Sequence, residues 1–210
     1  MIRILIANDH PLVREGLKTI LREHCDMEVC CEATEYGELI QLCSQHHHDI
    51  VVMDISMSGK SGLDALKELR DNFPDIHVLV LSMHPEERFA VRAIRTGARG
   101  YLSKESAPQQ LVTAIRKVAA GGRYITEALA EQLATDVGPY SEKAPHEILS
   151  NREFQVLCGI ASGKTYQEIA DDLCVSQNTV NTYRARILEK MKLKNNIELA
   201  HYAIRNNLID

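Results

Sequence analysis

The sequence predicts two folds in series: an α/β domain built on a five-stranded, parallel, doubly wound sheet, then an all-α unit of four short helices. Three observations carry this expectation. Over the first 120 residues, short apolar runs alternate five times with longer segments of helical period. Several of these runs, such as Ile50-Val51-Val52-Met53, are continuously apolar, as in a strand whose two faces are both covered. From Ile148 onward strand-like alternation is gone, and helix starts are marked by capping residues.

The predicted strands are Ile2–Asn8, Glu28–Glu32, Ile50–Asp54, Val78–Ser82 and Gly100–Ser103. The helices between them are Pro11–Arg22, Tyr36–Gln45, Gly62–Asn72, Glu86–Thr96 and Ala107–Ala120. Five βα units with short connections wind into an open sheet, so residues 1–120 form one domain. Residues 121–147 read as a linker. It holds a short helix, Thr126–Thr135, and then Asp136–His146, rich in Gly, Pro, Ser and charge. Residues 148–210 form the helical domain. Ser150/Glu153, Thr165/Glu168 and Asn195/Glu198 each set an N-cap three residues before a glutamate, Gly163 suits a helix stop, and Ser176 caps a long helix through Lys190.

Composition agrees with a packed protein: 45% hydrophobic and 25% charged residues support a core and exclude wholesale disorder. The net charge of −5 hides a local reversal, because Gln177–Lys194 carries five basic residues against one acid, Glu189. Local positive charge is the footprint of a phosphate-backbone binder. No run approaches the ~20 apolar residues of a membrane span, and the N-terminus is too short and too soon acidic for a signal peptide. A soluble, cytoplasmic protein is expected. None of the six cysteines forms a C-x-x-C, and adjacent Cys30 and Cys31 suit no disulfide framework, so reduced, structural thiols are expected. His46-His47-His48 precedes a strand, whose alternation sends adjacent residues to opposite faces, which argues against a metal site there.

In open parallel sheets, chemistry gathers beyond the carboxyl ends of the strands. Strand one ends at Asn8-Asp9, strand three at Asp54, strand four at Ser82, and strand five runs into Lys104. Two carboxylates, a hydroxyl and an ammonium would converge there. Close carboxylates repel, and a hard divalent cation on oxygen ligands relieves the repulsion. Such a pocket suits phosphoryl chemistry, with Asp54 as nucleophile and lysine as a point charge toward the phosphoryl oxygens. A nucleotide-type cofactor fits the first loop poorly. Asp9-His10-Pro11 lacks the amides that cradle phosphate, and a carboxylate there repels it.

The run Asn8-Asp9-His10, the segment Met53-Asp54-Ile55-Ser56-Met57, Ser82 and Gly97-Ala98-Arg99-Gly100-Tyr101-Leu102-Ser103-Lys104 together resemble a receiver domain over the first 120 residues. The resemblance implies a flavodoxin-like fold in which Asp54 takes phosphate from a sensor histidine kinase. It implies Mg²⁺ bound by Asp9, Asp54 and the Ser56 backbone carbonyl, with Asn8 acting through a water. It also implies that Ser82 swings toward the phosphoryl group, that Tyr101 rotates inward behind it, and that Ser56 and His84 tune dephosphorylation. Two departures stand out. Asn8 replaces a second acid common in receivers, so weaker Mg²⁺ binding is expected, and Ser58 stands where most relatives have proline.

Thr165–Leu173 and Gln177–Lys190, joined by Cys174-Val175-Ser176, have helix-turn-helix proportions. Ile169, Ala170, Leu173, Val180, Ile187 and Met191 make the inner faces, and the small Ala170 permits close helix approach. Polar or basic residues lie outward on the second helix, where amides and guanidinium groups can read a major groove. Leu149-Ser150-Asn151-Arg152-Glu153, Ile169-Ala170, Leu173, Ser176, Thr179-Val180 and Lys190-Met191 resemble the LuxR-type DNA-binding domain. With the receiver, this is similar to the NarL/FixJ class of response regulators. Thr179-Val180-Asn181-Thr182-Tyr183-Arg184 and Arg205-Asn206-Asn207-Leu208 lean toward its GacA- and BvgA-like members. By resemblance, Asn181, Thr182 and Ala185 face bases, and Lys190 and Lys192 face phosphates. Ser176, Asn178, Thr179, Arg184 and Arg186 complete the expected DNA surface.

A transcription regulator controlled by phosphorylation is therefore expected, with DNA, a sensor kinase and RNA polymerase as partners. Its catalysis would be limited to self-phosphorylation and slow self-hydrolysis. Leu199, Ala203 and Ile204 mark a stripe that serves either a dimer contact on activation or simple bundle packing. The rival reading keeps the DNA function and makes the receiver a phosphorylation-independent dimerisation module.

Overall fold

The computed structural model describes residues 1–57, 62–82, 86–135, 144–206 and 208–209, and the chain divides into two compact units, Met1–Leu133 and Ala134–Asp210. In the first, strands β1 (Ile2–Ala7), β2 (Met27–Ala33), β3 (Ile50–Asp54), β4 (His77–Ser82) and β5 (Gly100–Ser103) alternate with helices. The helices are α1 (Pro11–Arg22), α2 (Tyr36–Gln45), α3 (Gly62–Asn72), α4 (Glu86–Thr96) and α5 (Ala107–Ala119). Every strand pair is parallel, in the order β2-β1-β3-β4-β5. All five carboxyl ends therefore share one edge, and the order reverses between β1 and β3, where such sheets bind their ligands.

The sheet is held between helices. Ile4, Ile6, Ile50, Val52, Leu79 and Leu81 pack with Leu17 and Leu21 of α1 and with Leu111, Ile115 and Val118 of α5 in one buried cluster. Burying each such side chain contributes about 1.5–3 kcal/mol. All five residues of β3 are buried, as its unbroken apolar run requires. β1 stops at Ala7, one residue before the expected end. There Asn8 turns the chain, its Oδ1 accepting the His10 amide at 2.8 Å. β2 is one residue longer than expected at each end, where Met27 and Ala33 pair with Ile2 and Ala7, and it carries a bulge: Ile4 pairs with Val29 and Leu5 with Cys31, so Cys30 is skipped.

The first unit reaches beyond residue 120. Tyr124 bridges to Gly100 and donates its amide to the Arg99 carbonyl at 2.8 Å, and Leu129 of α6 (Glu127–Thr135) is buried. Part of the segment read as linker is thus built into the sheet domain. Positions 136–143 of the expected linker lie outside the described residues.

In the second unit a 3₁₀ turn (Pro145–Ile148) leads into α7 (Asn151–Ala161), α8 (Tyr166–Asp172), α9 (Gln177–Met191) and α10 (Asn196–Arg205). Phe154, Leu157, Ile169, Ala170, Val180, Ile187, Leu199 and Ala203 are all buried there. Leu199 and Ala203 thus belong to the bundle interior and are not a dimer stripe. On α10 the exposed apolar residues are Ile197 and Ile204. Ser150/Glu153 and Thr165/Glu168 form complete capping boxes. Asn195 caps the Glu198 amide, but the Glu198 carboxylate accepts from Lys194 N, so the third box is half formed. Gly163 follows α7 with φ +79°, where a side chain would be strained.

Glu153 joins the cap to the long helix. It is 2% exposed, and its Oε2 accepts the Ser150 amide at 2.7 Å and the Lys190 ammonium at 2.7 Å. Burial by itself raises its carboxyl pKa, but Lys190 and the Ser150 amide and hydroxyl outweigh it, leaving the value below the ordinary 4.5. A carboxyl lowered by folding stabilises above its unfolded pKa, and that contribution fades as pH falls through the folded value. The helical domain is expected to lose stability as pH drops below 4.5, followed by urea midpoints, and Glu153→Gln should flatten that limb. Glu153→Ala at neutral pH should cost about 1–3 kcal/mol.

Candidate functional site

Four strand ends build the pocket. Asp54, the last residue of β3, is 1% exposed, and its carboxylate is fully engaged. Oδ2 accepts from Lys104 Nζ at 2.6 Å and Asn8 Nδ2 at 3.2 Å, while Oδ1 accepts from Ser56 N at 2.9 Å. Lys104 is placed by its own backbone: its amide donates to the Ser82 carbonyl at 2.7 Å just past β5, and its side chain is 11% exposed. Asp9 follows Asn8, with His10 Nδ1 2.6 Å from its Oδ1, and ligand atoms of Asp9, His10 and Asp54 lie within 4.8 Å of one another. Ser82 is wholly buried at the end of β4, and Tyr101 of β5 is 1% exposed.

The structure brings Asn8, Asp9, Asp54, Ser82 and Lys104 of the strand-end reading to one edge, and adds the Ser56 amide, where the resemblance implied the Ser56 carbonyl. Two carboxylates this close favour a cation between them, and their oxygens are the donors a hard divalent ion takes. One detail differs from expectation. Asn8 directs its amide nitrogen at Asp54 while its Oδ1 holds the His10 amide, so it anchors the carboxylate and offers the pocket a donor where a water-mediated ligand needs an acceptor. Tyr101 sits inside in this structure. Ser58 and His84 lie outside the described residues.

Two contributors escaped the sequence. His10, beside Asp9, adds a nitrogen to the acidic group. Gly62, at the start of α3, lies so close to the turn after Asp54 that a Cβ there would stand 2.3 Å from the Ile55 carbonyl oxygen. The close approach depends on having no side chain, and nothing in a one-dimensional pattern marks it.

The second unit offers a separate surface. On α9, Asn178, Asn181, Thr182, Ala185 and Arg186 are exposed along one stripe, opposite buried Val180, Ile187 and Met191. Ser176 caps the helix, its Oγ accepting the Thr179 amide at 3.1 Å, and Cys174 in the preceding turn takes a positive φ of 51°. Two expected DNA residues do other work. Lys190 is held by buried Glu153, and Arg184 donates from Nε to Asn196 Oδ1 at 2.5 Å. Lys192, in the left-handed C-cap position of α9, is exposed, as is Lys194.

With this geometry in place, the family follows. The response regulator receiver domain matches residues 4–116, and the bacterial regulatory protein luxR family matches residues 147–203. The chain belongs to the response regulators of the NarL/FixJ class, with a receiver domain and a LuxR-type DNA-binding domain. It is 37% identical over 209 residues to response regulator UvrY of Escherichia coli strain K12, covering 99% of this chain and 96% of that protein. It is 38% identical over 211 residues to response regulator GacA of Pseudomonas aeruginosa, covering 100% and 99%. Among solved structures it is similar to the RcsB response regulator of Salmonella typhimurium, 25% identical, with a TM-score of 0.62 over 96% of this chain and 98% of that one. It is also similar to RcsB of Salmonella enterica serovar Typhimurium bound to promoter rprA in the presence of the phosphomimetic BeF3⁻, 25% identical, with a TM-score of 0.64 over 96% and 98%. Among the described residues, no helix is long and apolar enough to cross a membrane.

Gly62→Ala is expected to push the Ile55 turn away from β3. Urea unfolding should show a loss of about 1–3 kcal/mol, typical of a forced overpacking.

Proposed function

We propose that a sensor histidine kinase phosphorylates Asp54 and that this controls sequence-specific DNA binding by α9. The observation that carries the reading is the buried Asp54 carboxylate with Lys104 Nζ 2.6 Å away, at the end of a central strand. An Asp54 oxygen attacks the phosphorus of a phosphohistidine. The P–N bond breaks, its electron pair stays on the imidazole nitrogen, and an acyl phosphate forms on Asp54. Lys104 then exchanges its carboxylate partner for a phosphoryl oxygen, and Asn8 and the Ser56 amide hold the remaining carboxyl group in place. Asp9, Asp54 and the Ser56 carbonyl fit Mg²⁺, which when bound neutralises phosphoryl oxygens. Catalysis by the protein itself is confined to this uptake and to slow hydrolysis of the acyl phosphate.

The Ser82 hydroxyl, at the end of β4, turns toward the phosphoryl group, and Tyr101 of β5 follows inward behind it. Phosphorylation biases an existing two-state equilibrium, and a shift from mostly inactive to mostly active needs a differential of about 3–5 kcal/mol. On DNA, Asn178, Asn181 and Thr182 suit base edges, and Ala185 offers an apolar touch on a thymine methyl. Ser176, Thr179, Arg186 and Lys192 suit phosphates. Exposed Ile197 (81%) and Ile204 on α10 support a homodimer addressing paired half-sites, with RNA polymerase as the downstream partner and the cytoplasm as location.

Treatment with acetyl phosphate and Mg²⁺ should tighten DNA binding of the wild type at least ~10-fold, about 1.4 kcal/mol, and leave Asp54→Asn unmoved. Equal affinity of both proteins, read by fluorescence anisotropy, would favour the receiver as a phosphorylation-independent dimerisation module. Asn8→Asp exchanges the donor facing Asp54 for a second charge. Mg²⁺ should then bind at least ~10-fold more tightly by isothermal titration, and unchanged affinity would remove Asn8 from the account of the pocket.

A further inference from the structure

Away from the phosphoacceptor end, a second group of metal-competent side chains lies on the β2 edge of the sheet. An uninterrupted strand would send Cys30 and Cys31 to opposite faces. The bulge at Cys30 breaks that alternation, and Cys30 Sγ, Cys31 Sγ and a ring nitrogen of His48 all lie within 4.8 Å of one another. His48 comes from the turn between α2 and β3, is 2% exposed, and places Nδ1 3.2 Å from Cys30 Sγ. Its other nitrogen, Nε2, lies 3.3 Å from the Leu42 carbonyl. A backbone carbonyl on the far ring nitrogen is the support that fixes a metal-bound histidine in the right tautomer.

We propose that Cys30, Cys31 and His48 form a binding site for Zn²⁺, with an open fourth position toward solvent. Two thiolates and one imidazole are the donors this ion prefers, and hard Mg²⁺ takes neither. Both cysteines are only half-buried, so the ion and its remaining ligand can reach them. Burial keeps the His48 imidazole below its ordinary pKa, which favours the neutral form that ligates. The ion would staple edge strand β2 to the segment that enters β3.

The test uses the full-length, reduced, metal-stripped protein with Zn²⁺ titrated against a chromophoric chelator in excess Mg²⁺, which occupies the acidic pocket. Co²⁺ substitution supplies a second readout. One Zn²⁺ per chain is expected, with a thiolate-to-Co²⁺ charge-transfer band. Cys30→Ser, Cys31→Ser and His48→Gln should each weaken binding by at least ~10-fold, the lower end of losses seen even for residues outside the ligand set. Cys174→Ser, which removes an exposed thiol elsewhere, should leave it unchanged. Should the buried His48 variant fail to fold, the two half-exposed cysteine variants carry the test. Absence of the charge-transfer band, or affinity unaltered by both cysteine substitutions, would overturn the assignment.

Discussion

The pairing of the Lys104 ammonium with the Asp54 carboxylate is the constraint on which the receiver domain is arranged. A carboxylate taken out of water needs donors on its oxygens, and removing one partner of a buried pair typically costs about 3–5 kcal/mol. Here the donors come from three places in the chain: Lys104 after β5, Asn8 after β1, and the Ser56 amide in the turn after β3. A sheet whose strands all run the same way delivers them to one edge. The Lys104 amide on the Ser82 carbonyl locks β5 to β4 at the same level, so the pocket and the register of the sheet are one structure. Lys104 thus touches Asp54 through its side chain and the end of β4 through its amide.

In the helical unit the same electrostatic logic divides the basic run of α9 into two sets. Lys190 and Arg184 are anchored by Glu153 and Asn196, which tie α9 to α7 and α10. Arg186, Lys192 and Lys194 remain exposed. The Lys190 side chain is itself 41% exposed, so it stays on the positive face while tethered to Glu153. The helix that would read bases is held by two polar contacts as well as by its apolar face. Rigid presentation of a few amide and hydroxyl side chains is what base readout demands.

The element order was legible from the alternation of apolar runs with helical segments, and β3, an apolar run ended by a polar residue, reads the same from Ile50 to Asp54 in sequence and structure, whereas β1, β2 and β4 shift by one residue at one or both ends. Site residues at strand ends were legible for the same reason. What escaped depends on groups far apart in sequence. Glu153 was visible as a cap and Lys190 as a phosphate contact, yet neither reading contains the ion pair that joins them across 37 residues. Asn8 was visible as a missing acid, but its hydrogen bond to Asp54 depends on which way the His10 amide turns it. Cys30 and Cys31 read as reduced, structural thiols because cysteines in apolar runs act as small hydrophobes. A bulge, which leaves no mark in composition or period, puts them beside His48.

On the proposed function Asp54 is the carboxylate that takes the phosphoryl group, and the chemistry of an acyl phosphate makes that measurable. Acetyl phosphate labelling in Mg²⁺, borohydride reduction of the acyl phosphate and peptide mass spectrometry locate the modified residue. The account predicts a single reduced site at Asp54, with Asp9 untouched. Modification spread over several carboxylates, or none at Asp54, would contradict it.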